Sequence, residues 1–179
     1  MNRLLLLIPL FFSVSAEAQP QVVNFKELQQ FLPQGNLGTY VRGKTDGETS
    51  TMMGFTTSWS QVTYSSSSDS CRCTVSIKIT DMLNIPSYMS IAPSTSGSSG
   101  LQVVSGYRKT VVYNNLSVVE TFDSTSHQAK LQVTLATRFL VEIIGEGISN
   151  PMTLYSFLDK TDLDGLKRIA QGGTSNQRK

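Results

Sequence analysis

The stretch QAKLQVTLATRFLVEII, residues 128–144, decides the fold. Ala129, Leu131, Val133 and Leu135 alternate with Gln128, Lys130, Gln132 and Thr134. Successive side chains of a strand point to opposite faces, so this period of two predicts a strand with one buried and one wet face. Ala136-Thr137 leaves room only for a tight turn, after which Phe139, Val141 and Ile143 resume the apolar set. Strands joined by so short a link must pair antiparallel, because a parallel pair needs a crossover connection.

The same pattern recurs upstream. Cys71, Cys73, Val75, Ile77 and Ile79 alternate with Arg72, Thr74, Ser76, Lys78 and Thr80. Burying Val75, Ile77 and Ile79 is worth roughly 1.5–3 kcal/mol each before entropy is counted. Further strands are expected at 57–64, 102–113 and 117–123, with a polar hairpin loop at 65–70. Gly38 to Gly54 reads as turn-rich, with Asp46-Gly47 as its clearest turn. Met82 to Pro93 reads as a short helical turn broken by Pro86, and Ser94 to Gly100 as a Ser/Gly loop.

Helical signals flank the strands. Asn24 caps a short helix whose Glu27 completes a capping box, and Pro33 and Gly35 end it. Ser149 or Asn150 caps a C-terminal helix with Pro151 at its first position, and Thr161 or Asp162 starts another. The expected fold is α+β, an antiparallel meander sheet with a short N-terminal helix and C-terminal helices packed on one face.

The first residues carry an export signal. Met1-Asn2-Arg3 is a short positive start, Leu4 to Val14 is apolar apart from Pro9 and Ser13, and Ala16 and Ala18 are the small residues a signal peptidase reads. Eleven apolar residues fall short of the roughly 20 needed to span a bilayer. No cysteine precedes Cys71, so no residue near the cleavage point can carry a lipid. The expected organisation is a signal peptide over 1–18, one domain over 19–170 and a disordered tail over 171–179. The predicted destination is exported, periplasmic or secreted, with no transmembrane segment once the signal is removed. A net charge of +2 and scattered basic residues predict no strong attraction to nucleic acid or anionic lipid.

Chemistry-bearing residues are sparse. Residues i and i+2 of an extended strand sit about 6.6–6.8 Å apart, at the far edge of disulfide geometry. Strand spacing therefore favours Cys71 and Cys73 as packed thiols over a local disulfide. A metal site lacks partners, since there is no third cysteine and His127 is the only histidine. Asp123, Ser126 and His127 share one polar turn and do not make a triad, whose members converge from separate elements. Gly145-Glu146-Gly147 is too little for a dinucleotide fingerprint. Asp159, Asp162 and Asp164 miss calcium-loop spacing because Lys160 and Gln171 stand where ligands belong. No cofactor is expected.

Two residues are candidate binding positions. Tyr107, with Trp59, Tyr64 and Tyr113, belongs to a set of aromatics on neighbouring strands that could line a cleft. Glu142 interrupts the apolar run 139–144 and needs a partner such as Arg138 or Lys78 if it faces inward; otherwise it lies on the wet face.

NFKELQQFLP, VSIKITDM, GYRKTVVY, ETFD, RFLVEIIGEG and DLDGLKRI, in that order, span most of the chain after the leader. The chain resembles, in these segments, an uncharacterised family of exported bacterial proteins with no established activity. The resemblance implies an envelope setting and carries no catalytic residues across. The expected function is a non-enzymatic binding or accessory module, its partner an envelope protein or a small ligand. Gly43 to Phe55 and Met82 to Gly100 are the expected contact loops. One alternative is a hydrolase or ligand-processing enzyme in which Glu120, Asp123 and Glu142 meet in a pocket. Another is an assembly partner that pairs through a sheet edge.

Overall fold

The computed structural model describes residues 21–52, 54–68, 72–83 and 105–172. A single-turn helix α1 (Phe25–Leu28) runs into a 3-10 turn (Gln29–Phe31). Seven strands follow: β1 (Tyr40–Met52), β2 (Phe55–Ser66), β3 (Thr74–Asp81), β4 (Gly106–Tyr113), β5 (Leu116–Asp123), β6 (Gln128–Leu135) and β7 (Phe139–Glu146). Helices α2 (Met152–Leu158) and α3 (Leu163–Ala170) end the described chain.

The strands form one antiparallel sheet in the order β1-β2-β3-β7-β6-β5-β4. Two meanders, β1–β3 and β4–β7, meet where β3 lies against β7, with Ile77 opposite Ile143 and Ile79 opposite Val141. The alternation read in the sequence is the alternation of burial. Val75, Ile77 and Ile79 are fully buried, as are Leu131, Val133, Phe139, Val141 and Ile143, while Ser76, Lys78, Lys130 and Gln132 remain partly accessible.

Gly38 to Gly54 departs from expectation. It holds the longest strand, β1, and Asp46-Gly47 is not a turn: Asp46 pairs with Gln61 and Gly47 with Ser60. A Cβ on Gly47 would stand 2.7 Å from the Trp59 carbonyl oxygen and 2.9 Å from Phe25 Cδ2, and one on Gly43 would stand 2.7 Å from the Thr63 carbonyl oxygen. Glycine serves close approach here, not a change of direction. The expected contact loop over Gly43–Phe55 is therefore mostly strand. The other expected contact loop, the helical turn within it and strand residues 102–104 lie outside the described residues, save Met82 and Leu83. The expected signal peptide over 1–18 and residues 173–179 of the expected tail also lie outside.

Cys73 is disulfide-bonded, not the packed thiol that strand spacing favours. β3 begins at Thr74, so Arg72 and Cys73 stand ahead of the regular strand, and the Cys73 carbonyl accepts from the Ser66 N–H at 2.9 Å. Cys71, the only other cysteine of the chain, lies outside the described residues.

The helices meet the sheet through specific neighbours. Gly145 in β7 has no side chain where Ile148 Cγ1 and Leu154 Cδ2 would stand 2.6 and 2.8 Å from a Cβ. Phe157 sets its ring edge-on to Tyr64 and Tyr40, with centroids 5.2 and 5.3 Å away. Asn150 Oδ1 accepts from the Met152 N–H ahead of α2, and Asp162 Oδ1 accepts from the Gly165 N–H to cap α3. Among the described residues no helix is long and apolar enough to cross a membrane.

Candidate functional site

Along β5, Val118 and Glu120 share the buried phase, so the alternation carries a carboxylate inward. Glu120 is the centre of a polar cluster. Tyr107 Oη donates to Oε1 at 2.5 Å, Tyr155 Oη donates to Oε2 at 2.5 Å, and Lys109 Nζ stands 3.2 Å from Oε1. Lys109 also lies over the Tyr107 ring, 4.6 Å from its centroid. Two strands and α2 supply the four side chains, and β4–β5 register puts Lys109 directly opposite Glu120.

The electrostatics follow from this geometry. Burial pushes the Glu120 carboxyl up, but the hydrogen bonds from Tyr107, Tyr155 and Lys109 together outweigh it and hold the group below its ordinary value. Burial raises Tyr155 well above the usual phenol range, with the adjacent Glu120 carboxylate adding to it. The hydrogen bond to Glu120 raises Tyr107. At neutral pH the carboxylate is therefore ionised and both phenols keep their protons. A general acid or base works best with a pKa near the operating pH, and these shifts move every member of the cluster away from it.

A second buried charge is satisfied in the same way. Arg138 donates from Nε to Asp81 Oδ1 at 3.1 Å and from Nη2 to Asp81 Oδ2 at 2.8 Å. Nη2 also donates to the Gln21 carbonyl at 2.7 Å, and Asp81 Oδ2 accepts from the Val23 N–H at 2.9 Å. This pair fastens the segment ahead of α1 to the end of β3.

The two candidate binding residues do not come together. Tyr107 is on the side of the sheet occupied by Glu120. Glu142 is in the opposite phase, half-buried, with Lys130 Nζ 2.8 Å away and Gln132 Nε2 donating at 3.0 Å. Lys78 faces Glu142 across the β3–β7 register but turns its ammonium over Trp59, 4.7 Å from the ring centroid. Arg138 is taken by Asp81. Asp123 accepts from the Thr125 and Ser126 N–H groups of its own turn. Glu120, Asp123 and Glu142 thus have separate partners and do not meet in a pocket. The four aromatics separate as well: Tyr64 is buried and donates to the Pro33 carbonyl at 2.8 Å, Trp59 lies under Lys78, Tyr107 packs on Phe122 and Tyr113 on Tyr155.

A cleft of about 390 Å³ opens between the β4–β5 turn and the link from α2 to α3, lined in part by Tyr113, Asn114, Asp159, Lys160, Thr161 and Lys167. Asp159 accepts from Tyr113 Oη at 2.8 Å and from Asn114 Nδ2 at 3.3 Å, which holds the turn to the helix. Asp164 pairs with Lys167 at 3.2 Å. Among the described residues no three His, Cys, Asp or Glu side chains gather in a way that would hold a metal ion.

Sequence reasoning missed Lys109, Tyr155, Asp81 and the cleft. One signal was available for two of the charges, since Asp81 and Glu120 fall on the apolar phase of their strands. No protein-family model, curated protein or solved structure matches the chain.

Proposed function

We propose that this chain is an exported, non-enzymatic binding module of the cell envelope, with its helices closing one face of the sheet and the cleft beside Tyr113 and Asn114 as its contact site. The observation that carries the reading is the state of the carboxylates. Glu120 and Asp81 are buried and fully engaged by donors, and Glu142 stands on the opposite side of the sheet from Glu120. Catalysis by paired carboxylates needs them on one substrate with separated pKa values. The cleft, by contrast, offers amide, carboxylate and ammonium groups on a scaffold held by the Tyr113–Asp159 hydrogen bond. Such a mixed polar lining suits a polar ligand or a peptide strand of an envelope partner.

Complementation of a deletion strain tests this. Tyr107→Phe removes a donor to Glu120 and is expected to keep function, whereas Lys160→Glu, which reverses an exposed charge at the cleft, is expected to lose it at unchanged melting temperature. Loss of function in Tyr107→Phe with the fold intact would favour an enzyme built on Glu120. Fractionation and N-terminal sequencing check the export: the mature chain is expected to start at Gln19, and a retained Met1 would overturn it.

A further inference from the structure

Of the large apolar side chains exposed among the described residues, Met52 and Phe55 are the two that face each other across a strand pair. Met52 is 75 % exposed and Phe55 40 %. Single exposed apolar side chains are ordinary, whereas adjacent ones mark a contact surface. Both stand at the turn end of the β1–β2 hairpin. β2 pairs with β3 only from Ser58 to Ser65, so the pairs Met52–Phe55, Thr51–Thr56 and Ser50–Thr57 reach past the end of β3. At the rise of a strand, the three residues from Ser58 to Phe55 carry the tip about 10 Å beyond it.

The tip suits a setting poor in water. TSTMMGFTTS, residues 49–58, contains no charge. Behind the apolar pair, side-chain hydroxyls bond each other: Thr51 Oγ1 stands 2.9 Å from Thr56 Oγ1, and Thr49 Oγ1 stands 2.8 Å from Ser58 Oγ. Hydroxyls paired in this way are not orphaned when water is withdrawn. On the strand face that carries Met52 and Phe55, charges begin four residues further back. There Glu48 lies opposite Trp59, and Lys78 sits over the Trp59 ring.

We propose that this hairpin tip docks the protein on a zwitterionic lipid surface, with Met52 and Phe55 in the acyl boundary and Trp59 at headgroup depth. The layers of the hairpin follow the layers of a bilayer surface. An apolar end meets the acyl chains, tryptophan favours the interface, and one carboxylate and one ammonium meet headgroups that carry both signs of charge. A standard protein interface takes about 800 Å² from each partner, more than two side chains at a hairpin end supply. A bilayer sets no such requirement of shape, and its affinity grows with the apolar area inserted. Two side chains give shallow, reversible docking rather than a permanent anchor. The neutral tip makes that docking independent of anionic lipid. This inference stands apart from the cleft: it concerns a different surface and a different occupant.

Binding of the mature chain to phosphatidylcholine vesicles doped with a dansyl-labelled lipid is the test. The readouts are flotation and energy transfer from Trp59, the only tryptophan of the chain. The wild type is expected to float with the vesicles, equally at low and high salt. Met52→Ser and Phe55→Ser are each expected to weaken binding about tenfold at unchanged melting temperature, and the double variant to abolish it. Met152→Ser, which removes an exposed apolar side chain from α2, is expected to bind as wild type does. A wild type that stays with the soluble fraction, a double variant that floats as well as wild type, or binding that requires anionic lipid would each overturn the proposal. Tip variants that lose complementation while the wild type ignores vesicles would assign the tip to a protein partner and overturn it as well.

Discussion

Arg138 holds Asp81 in a two-pronged ion pair at the end of β3, with the carboxylate 0 % exposed and the arginine 7 %. The pair is also a junction. Through Arg138 Nη2 and the Asp81 carboxylate it binds Gln21 and Val23, so the first described residues are seated by a charge cluster from two strand ends.

Removing one partner leaves the other charge buried without compensation, which costs about 3–5 kcal/mol. Asp81→Ala is expected to lower the urea midpoint by a corresponding amount. Asp81→Leu combined with Arg138→Met removes both charges and is expected to recover much of the loss. A double variant no more stable than Asp81→Ala would show that the backbone bonds to Gln21 and Val23 dominate.

The Glu120 cluster makes stability depend on acid pH. The folded pKa of Glu120 lies below its ordinary 4.5. Its contribution is therefore complete above the unfolded value and is lost as pH falls through the folded one. Urea unfolding from pH 7 down to pH 3 is expected to show a decline below about pH 4.5 that Glu120→Gln flattens. Tyr155→Phe withdraws a charge-assisted hydrogen bond and is expected to cost about 1.5–3 kcal/mol at neutral pH.

Gly145 is the contact point between β7 and α2. Gly145→Ala would drive a methyl into Ile148 and Leu154, and overpacking of this kind costs about 1–3 kcal/mol. Gly145→Ala with Leu154→Val makes room and is expected to recover part of it, as read by thermal unfolding.

The two faces of β3 separate by one residue. Ile77 is fully buried, whereas Ser76 is partly accessible and hydrogen-bonds Thr63 at 2.9 Å. Ile77→Lys is expected to abolish soluble expression and Ser76→Lys to be tolerated. Equal tolerance of both would reverse the face assignment.

Legibility followed the range of the forces involved. β6, β7 and the body of β3 were readable because a period of two is written within eight residues and needs no distant partner. β1 was misread because glycine has two uses. Gly43 and Gly47 look like turn residues, and only the Trp59 and Thr63 carbonyl oxygens and the Phe25 ring explain them as places of close approach. Glu142 shows the same limit in the site. Its position in an apolar run was visible, but its partners Lys130 and Gln132 depend on β6 lying beside β7 in one register.

By itself the sequence determined the alternating strands, the antiparallel β6–β7 pair, the capped helices at either end and the presence of charges on apolar strand phases. Those properties are local: side-chain direction, turn length and backbone capping act over a few residues. Only the tertiary structure decided that β3 pairs with β7, that Asp81 meets Arg138, that Tyr155 closes over Glu120 and that Tyr107 and Glu142 fall on opposite sides of the sheet. Asp81 and Arg138 are 57 residues apart and Glu120 and Tyr155 are 35 apart. A buried charge requires a partner, but which one it takes is set by the strand order that brings distant residues within hydrogen-bonding reach.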